Sequence, residues 1–459
     1  MLEVGWASQD MTPVRPAMIL GQTHRRVGSQ AMDPLMVTAM ALREPQSGDC
    51  AVVISCDLAG IPPTMRDSVC SRLSAQLPDL PPEKVVMNGT HTHTSLVTEE
   101  GVYTHPGGDV MTEVECEAWV VDHAVQAGIE AWQSRQPGQI GRAFGHAVIG
   151  HNRYAAYAGG EAKMYGATDR EDFIGISGYE DHSLDMLFTW QPEGHLSGVA
   201  LAIPCPAQVD AGLTVFSADF WHEIRLDLRQ RLSQDLQVLP LCAAAGDQSP
   251  HFLLYGQQEA EMRDRYGLSE RQEIAQRVGM AVERALQSTR PEIDPVSFRH
   301  RKKQVELSPV SIKQKQRDWA LSELERCRDN TDPDSWWPRR LQWVIDCFDG
   351  VEPLSSVPLD ESWSRTAELH FIRLGDAVLA TNPFELFIDY SHRIKARSQA
   401  AQTIVVQLAG HIPGGSYLPT ERALKAGGYG ANPAVCPVGH QGGGELVETT
   451  LDAIAELFN

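Results

Sequence analysis

Short apolar runs rich in β-branched residues alternate along this chain with longer stretches whose apolar residues recur every three or four positions. Strand-like runs interleaved with amphipathic helices bury both kinds of surface only in layers, so the alternation predicts an α/β architecture of mixed sheets flanked by helices. The runs at 51–56, 84–87, 196–203, 238–244, 377–380 and 403–408 read as buried strands. The stretches 65–77, 114–132, 218–232, 269–286, 384–395 and 446–457 read as helices. No internal repeat and no low-complexity linker breaks the chain, so residues 1–459 are read as one large unit, although the length alone would allow two or three domains. The segment 308–360, with Trp336-Trp337-Pro338-Arg339-Arg340, interrupts the strand rhythm with two helical patterns and reads as an insertion or lid. Its tryptophans are expected to be packing groups.

A formal net charge of -21 repels nucleic acid and anionic lipid surfaces, which need concentrated Lys and Arg to release counterions. The basic run Arg299-His300-Arg301-Lys302-Lys303 is short and reads as a solvated face. Nine cysteines are scattered without a CxxC pair, as in a protein whose thiols stay reduced. The N-terminus carries Glu3 where a signal peptide would be basic, and no apolar run approaches transmembrane length. The expectation is a soluble, cytoplasmic protein with a small-molecule substrate, no nucleic-acid partner and no stable membrane insertion.

Several residues with chemical potential fall just after predicted strands, where α/β proteins place their sites. In Gly89-Thr90-His91-Thr92-His93-Thr94 the two histidines sit two residues apart, so in extended chain they project to one side. They read either as metal ligands with threonines orienting the rings or as a hydrogen-bonded pair in a polar loop. Glu385, after Thr381-Asn382-Pro383-Phe384, stands at a predicted strand-to-helix turn and can cap the helix or reach a metal. Tyr417 and Tyr429 lie twelve residues apart in a Gly/Pro-rich stretch. Ser249, in Gly246-Asp247-Gln248-Ser249-Pro250, presents a hydroxyl after a strand, either as a nucleophile or within a structural turn.

In order, these motifs resemble the catalytic domain of the neutral/alkaline, non-lysosomal ceramidases. The resemblance runs through Val4-Gly5, Asp10-Met11-Thr12-Pro13, Asp33-Pro34-Leu35, Ser55-Cys56-Asp57-Leu58, the His91/His93 motif, Asn152-Arg153, Gly246-Asp247-Gln248-Ser249-Pro250, Glu385 and Tyr417-Leu418-Pro419-Thr420, nearly the whole chain. It implies a single Zn2+ held by His91, Glu385 and Tyr417, with His93, Arg153 and Tyr429 around the reacting carbonyl and Ser249 lining the site.

Where the family carries its second histidine ligand, this chain reads Ile203-Pro204-Cys205-Pro206-Ala207-Gln208. Three readings follow: Cys205 ligates the zinc as thiolate, His222 from Ser217-Ala218-Asp219-Phe220-Trp221-His222 replaces it, or the metal is lost. No C-terminal immunoglobulin-like domain follows the helix at 446–457, which together with the N-terminus points away from ceramide and toward a smaller, soluble amide. The expected activity is zinc-dependent hydrolysis of an N-acyl or related bond. The alternatives are a non-catalytic zinc or small-molecule-binding homologue, and a hydrolase of carbohydrate-type substrates.

Overall fold

The computed structural model describes residues 1–291, 297–330, 335–350, 366–410 and 417–459. Three sheets are built by one plan. In the first, Glu3–Asp10, Met36–Arg43 and Cys50–Cys56 pair antiparallel in sequence order; the helix Pro63–Gln76 then crosses over to bring Val85–Gly89 in parallel beside Cys50–Cys56. The second runs Gln139–His146, Ser183–Trp190 and Leu196–Ile203, then helix Phe220–Arg231 and the parallel strand Gln237–Cys242. The third runs Phe298–Glu306, Thr366–Leu374 and Ala377–Thr381, then helix Ile388–Arg397 and the parallel strand Gln402–Val406. Each fourth strand is followed by a long helix: Glu113–Gln133, Glu270–Ser288 and His440–Phe458. The α/β expectation stands, and a threefold repeat of topology is present that the residues themselves do not display.

Both faces of these sheets are apolar, and successive residues point to opposite faces. Ala51 and Val53 enter a central core shared by all three sheets, with Leu187, Ala200, Leu239, Ile372, Leu379 and Ile404. Val52 and Ile54 face the helices of their own unit. Leu201 and Ile203 in the second sheet and Val378 and Ala380 in the third do the same. Each sheet is thus sandwiched between its helix pair and the common core.

The basic run lies in Phe298–Glu306, at the edge of the third sheet. Its exposed charges suit an unpaired edge, with Lys302 and Lys303 bonded to Glu368 and Glu456, while His300 turns inward. Within 308–360 the helices Gln314–Asn330 and Trp337–Asp349 pack together through Ala320, Leu341, Val344 and Trp319; residues 331–334 and 351–360 of that segment lie outside the described residues. The helix expected from 384 begins at Ile388 instead. Glu385–Leu386 form a two-residue strand parallel to Tyr417–Leu418, and the Gln407 side chain accepts the Leu386 N–H, so this stretch is held extended. Among the described residues no helix is long and apolar enough to cross a membrane.

Candidate active site

At one end of the molecule the carboxyl ends of the parallel strands are stitched together. The Asn88 amide donates to Pro240 O at 3.3 Å, Gly410 N to Met87 O at 3.2 Å, Gln407 N to Cys242 O at 2.9 Å and Ala207 N to Thr90 O at 3.3 Å. The segments leaving the three sheets therefore meet, and each brings a polar side chain: His91 and His93 from the first, Gln208 from the second, Glu385 from the third.

His91 has a left-handed backbone, with φ of 63°, fixed by its N–H donating to Leu58 O at 2.9 Å. Such a conformation is uncommon away from glycine and is kept where the surroundings impose it. The ring Nδ1 donates to Ala59 O at 2.6 Å, and Nε2 faces Glu385 Oε2 at 3.0 Å. Burial opposes a charge on His91, but the Glu385 carboxylate outweighs it and holds the pKa above the ordinary value. Glu385 and Tyr417 are register partners on adjacent two-residue strands. The buried Arg153 donates through Nη2 to Tyr417 Oη at 2.9 Å and to Gly246 O at 2.9 Å. Its Nε is buried with no partner among the described residues.

Tyr429 packs edge-on against Tyr417 with ring centroids 5.7 Å apart, and Tyr154 Oη accepts the Gly430 N–H at 2.9 Å to hold that turn. Burial, reinforced by Glu385, pushes the Tyr429 phenol well above its ordinary pKa. The His93 ring stands edge-on to His91 with centroids 4.9 Å apart. Burial, with His91 beside it, lowers its pKa well below the ordinary value, so it is neutral.

These groups line a cavity of about 890 Å³. Met164, Tyr165, Trp336, Trp337, Leu408 and Val435 add apolar and aromatic wall, and the exposed Glu99, Glu100 and Arg339 also border it. The tryptophans expected only to pack thus face the cavity: the Trp337 ring lies 5.6 Å from that of Tyr429, and Trp336 Nε1 donates to Gln22 O at 3.2 Å.

His91, His93, Arg153, Glu385, Tyr417 and Tyr429 are all brought to this cavity. Cys205, His222 and Ser249 are not among the described residues lining it. The Cys205 thiol is buried in the apolar cluster with Ile149 and Ile203, its Sγ 3.5 Å from Pro206 O. His222 sits in the first turn of Phe220–Arg231. Ser249 Oγ accepts from Tyr165 Oη at 3.0 Å and from His251 N at 3.1 Å, so its partners among the described residues are donors, not a general base. Sequence reasoning missed Gln208, Tyr154 and Tyr165: the amide carries no ligand or acid–base signal of its own, and the two tyrosines stand in no motif that marks them out from the chain's other tyrosines.

Imidazole nitrogen and carboxylate oxygen, which His91 and Glu385 bring together, are donor types that zinc takes. Among the described residues no group of three or more His, Cys, Asp or Glu is placed to hold a metal ion, so a metal here would need a donor of another type beside His91 and Glu385, and the nearest candidate is Tyr417, the register partner of Glu385. His91 Nε2 and a Glu385 oxygen lie 3.0 Å apart and share a proton here; a zinc taking its place would be held by both, and catalytic zinc commonly keeps three protein ligands and one open position. The carbonyl bonded to His91 Nδ1 fixes the tautomer that such ligation requires.

No family model and no curated protein sequence matches the chain. Solved structures do. A ceramidase complexed with C2 superimposes with a TM-score of 0.71 at 16% identity, over 100% of this chain and 75% of that one. The chain has a neutral ceramidase-like fold. The neutral ceramidase from Pseudomonas aeruginosa gives a TM-score of 0.69, again at 16% identity, over 100% of this chain and 74% of that one.

Proposed function

We propose that this protein is a hydrolase that cleaves an amide (N-acyl) or related bond of a small, soluble substrate, with zinc held by His91, Glu385 and Tyr417. The observation that carries this reading is the buried contact of His91 with Glu385, flanked by Tyr417 and Arg153, on a cavity large enough for a small molecule. The neutral ceramidase-like fold supports it.

Zinc, when bound, supplies a Lewis acid that lowers the pKa of water toward neutrality and polarises a carbonyl. Arg153, held by Tyr417 and Gly246 O, orients the substrate carbonyl with its fixed positive charge. Tyr429 keeps its proton at neutral pH and donates it in a hydrogen bond to the oxygen on which charge develops. Neutral His93 is a second such donor. The apolar wall excludes water and strengthens each of these contacts.

The test is hydrolysis of a panel of N-acyl amino acids and short N-acyl amines by the purified protein, beside its His91→Ala variant. Cleavage by the wild type and none by the variant supports the reading. A wild type that binds such compounds without turnover selects a non-catalytic binding protein instead. A carbohydrate-type substrate is the second reading, favoured by Trp336 and Trp337 in the cavity wall, on which a sugar ring can stack. Sugar binding or cleavage without amide cleavage selects it.

A further inference from the structure

We infer that Gln208 is a positioning residue that locks His93 in one tautomer, with the ring proton on Nδ1, so that His93 serves the site only as a hydrogen-bond donor. The functional consequence rests on the hydrolase reading; the tautomer does not.

The Gln208 amide nitrogen lies 2.8 Å from His93 Nε2. An amide NH2 can only donate, so Nε2 accepts and carries no proton. A neutral imidazole then has its single N–H at Nδ1, on a ring that lines the cavity. The one lone pair is spent on Gln208, so His93 can neither ligate a metal nor take a proton from water. This separates it from His91, whose Nδ1 is bonded to a carbonyl and whose Nε2 is aimed at Glu385.

The frame around the pair is rigid. Both Asp219 carboxylate oxygens hold the chain just after Gln208, Oδ1 accepting from Val209 N at 3.1 Å and Oδ2 from Asp210 N at 2.8 Å. The buried Arg26 guanidinium binds Ala211 O and Leu213 O on that same loop together with His93 O at 2.7 Å. On the other side Gly21, at φ of 117°, presses its backbone on the imidazole: a Cβ there would lie 2.3 Å from His93 Cγ. Ring and amide have little freedom to part.

The experiment is long-range ¹H–¹⁵N correlation on full-length protein with ¹⁵N-labelled histidine, the His93 signals being identified by their loss in His93→Gln. The wild type should show a protonated Nδ1 and an unprotonated Nε2. In Gln208→Glu the carboxylate accepts where the amide donated, and the proton should move to Nε2. For an N-acyl compound that the wild type cleaves, the same variant should lose about 10²-fold in kcat with KM within about twofold, as for removal of one oxyanion donor. A protonated Nε2 in the wild type, or an unchanged spectrum in Gln208→Glu, overturns the inference. Should that variant misfold, Gln208→Ala decides, since it should give averaged signals of both tautomers, and a retained single Nδ1–H form overturns the claim. The expected spectra without N-acyl cleavage would remove the hydrolase reading and leave the positioning claim standing.

Discussion

Tyr429 shows how burial shapes one residue's chemistry. Its half-buried phenol lines the cavity within the field of Glu385, so burial and the carboxylate both disfavour ionisation and the proton is kept for donation. Tyr429→Phe removes that donor while keeping the ring that packs on Trp337 and Tyr417. Turnover of an N-acyl substrate should fall about 10²-fold with KM little changed, read by steady-state kinetics; an unchanged kcat would remove Tyr429 from the chemistry. At this scale the sequence was legible where residue type signals chemistry: a two-histidine motif after a strand, an acid after another and two spaced tyrosines do converge. Gln208 was illegible because its role comes from a contact 115 residues away in the chain. Cys205 illustrates the reverse, a residue whose position in an ordered motif points to the site while its side chain packs in the core.

At the scale of elements, the strands read from the sequence were ones apolar on both faces, although Met36–Arg43 and Ser183–Trp190, buried on both faces as well, were not read. Leu196–Ile203 coincides with its expected limits, and Cys50–Cys56 and Gln402–Val406 differ by a residue or two at their ends. Gln139–His146 and Phe298–Glu306 were not anticipated, since arginine, histidine or lysine on their outer positions hides the apolar alternation. The shift of the helix start from 384 to Ile388 has a tertiary cause, the Gln407 side chain and the partner strand Tyr417–Leu418. The central core predicts its own test. Ile404 is fully buried where the three sheets meet, so Ile404→Ala should destabilise the protein by about 2–5 kcal/mol in urea unfolding. A loss below about 1 kcal/mol would mean that the sheets do not share a close-packed core there.

For the whole molecule, three units of one topology close around a common core and leave their strand ends facing one cavity. The repeat was invisible in the sequence because a βββαβα plan constrains burial and connection, and many residue sets satisfy both. Its seams contain buried acids with consequences for stability. Burial raises the Asp219 carboxyl from 3.8 to about 7, although backbone N–H groups pull it down. The folded state therefore holds that proton more tightly than the unfolded chain, so the contribution is fully present below about pH 4 and is lost as pH rises through 7. The wild type should lose thermal stability relative to Asp219→Asn between pH 5 and 8, measured by Tm in a common buffer series. Parallel Tm profiles for the two proteins would contradict this assignment.

The central claim is a zinc held by His91, Glu385 and Tyr417 without Cys205, and elemental analysis of metal content tests it most directly. Wild type prepared without chelator should carry about one zinc per chain, Cys205→Ala the same, and His91→Ala none. Zinc retained by His91→Ala, or absent from the wild type, would contradict the account.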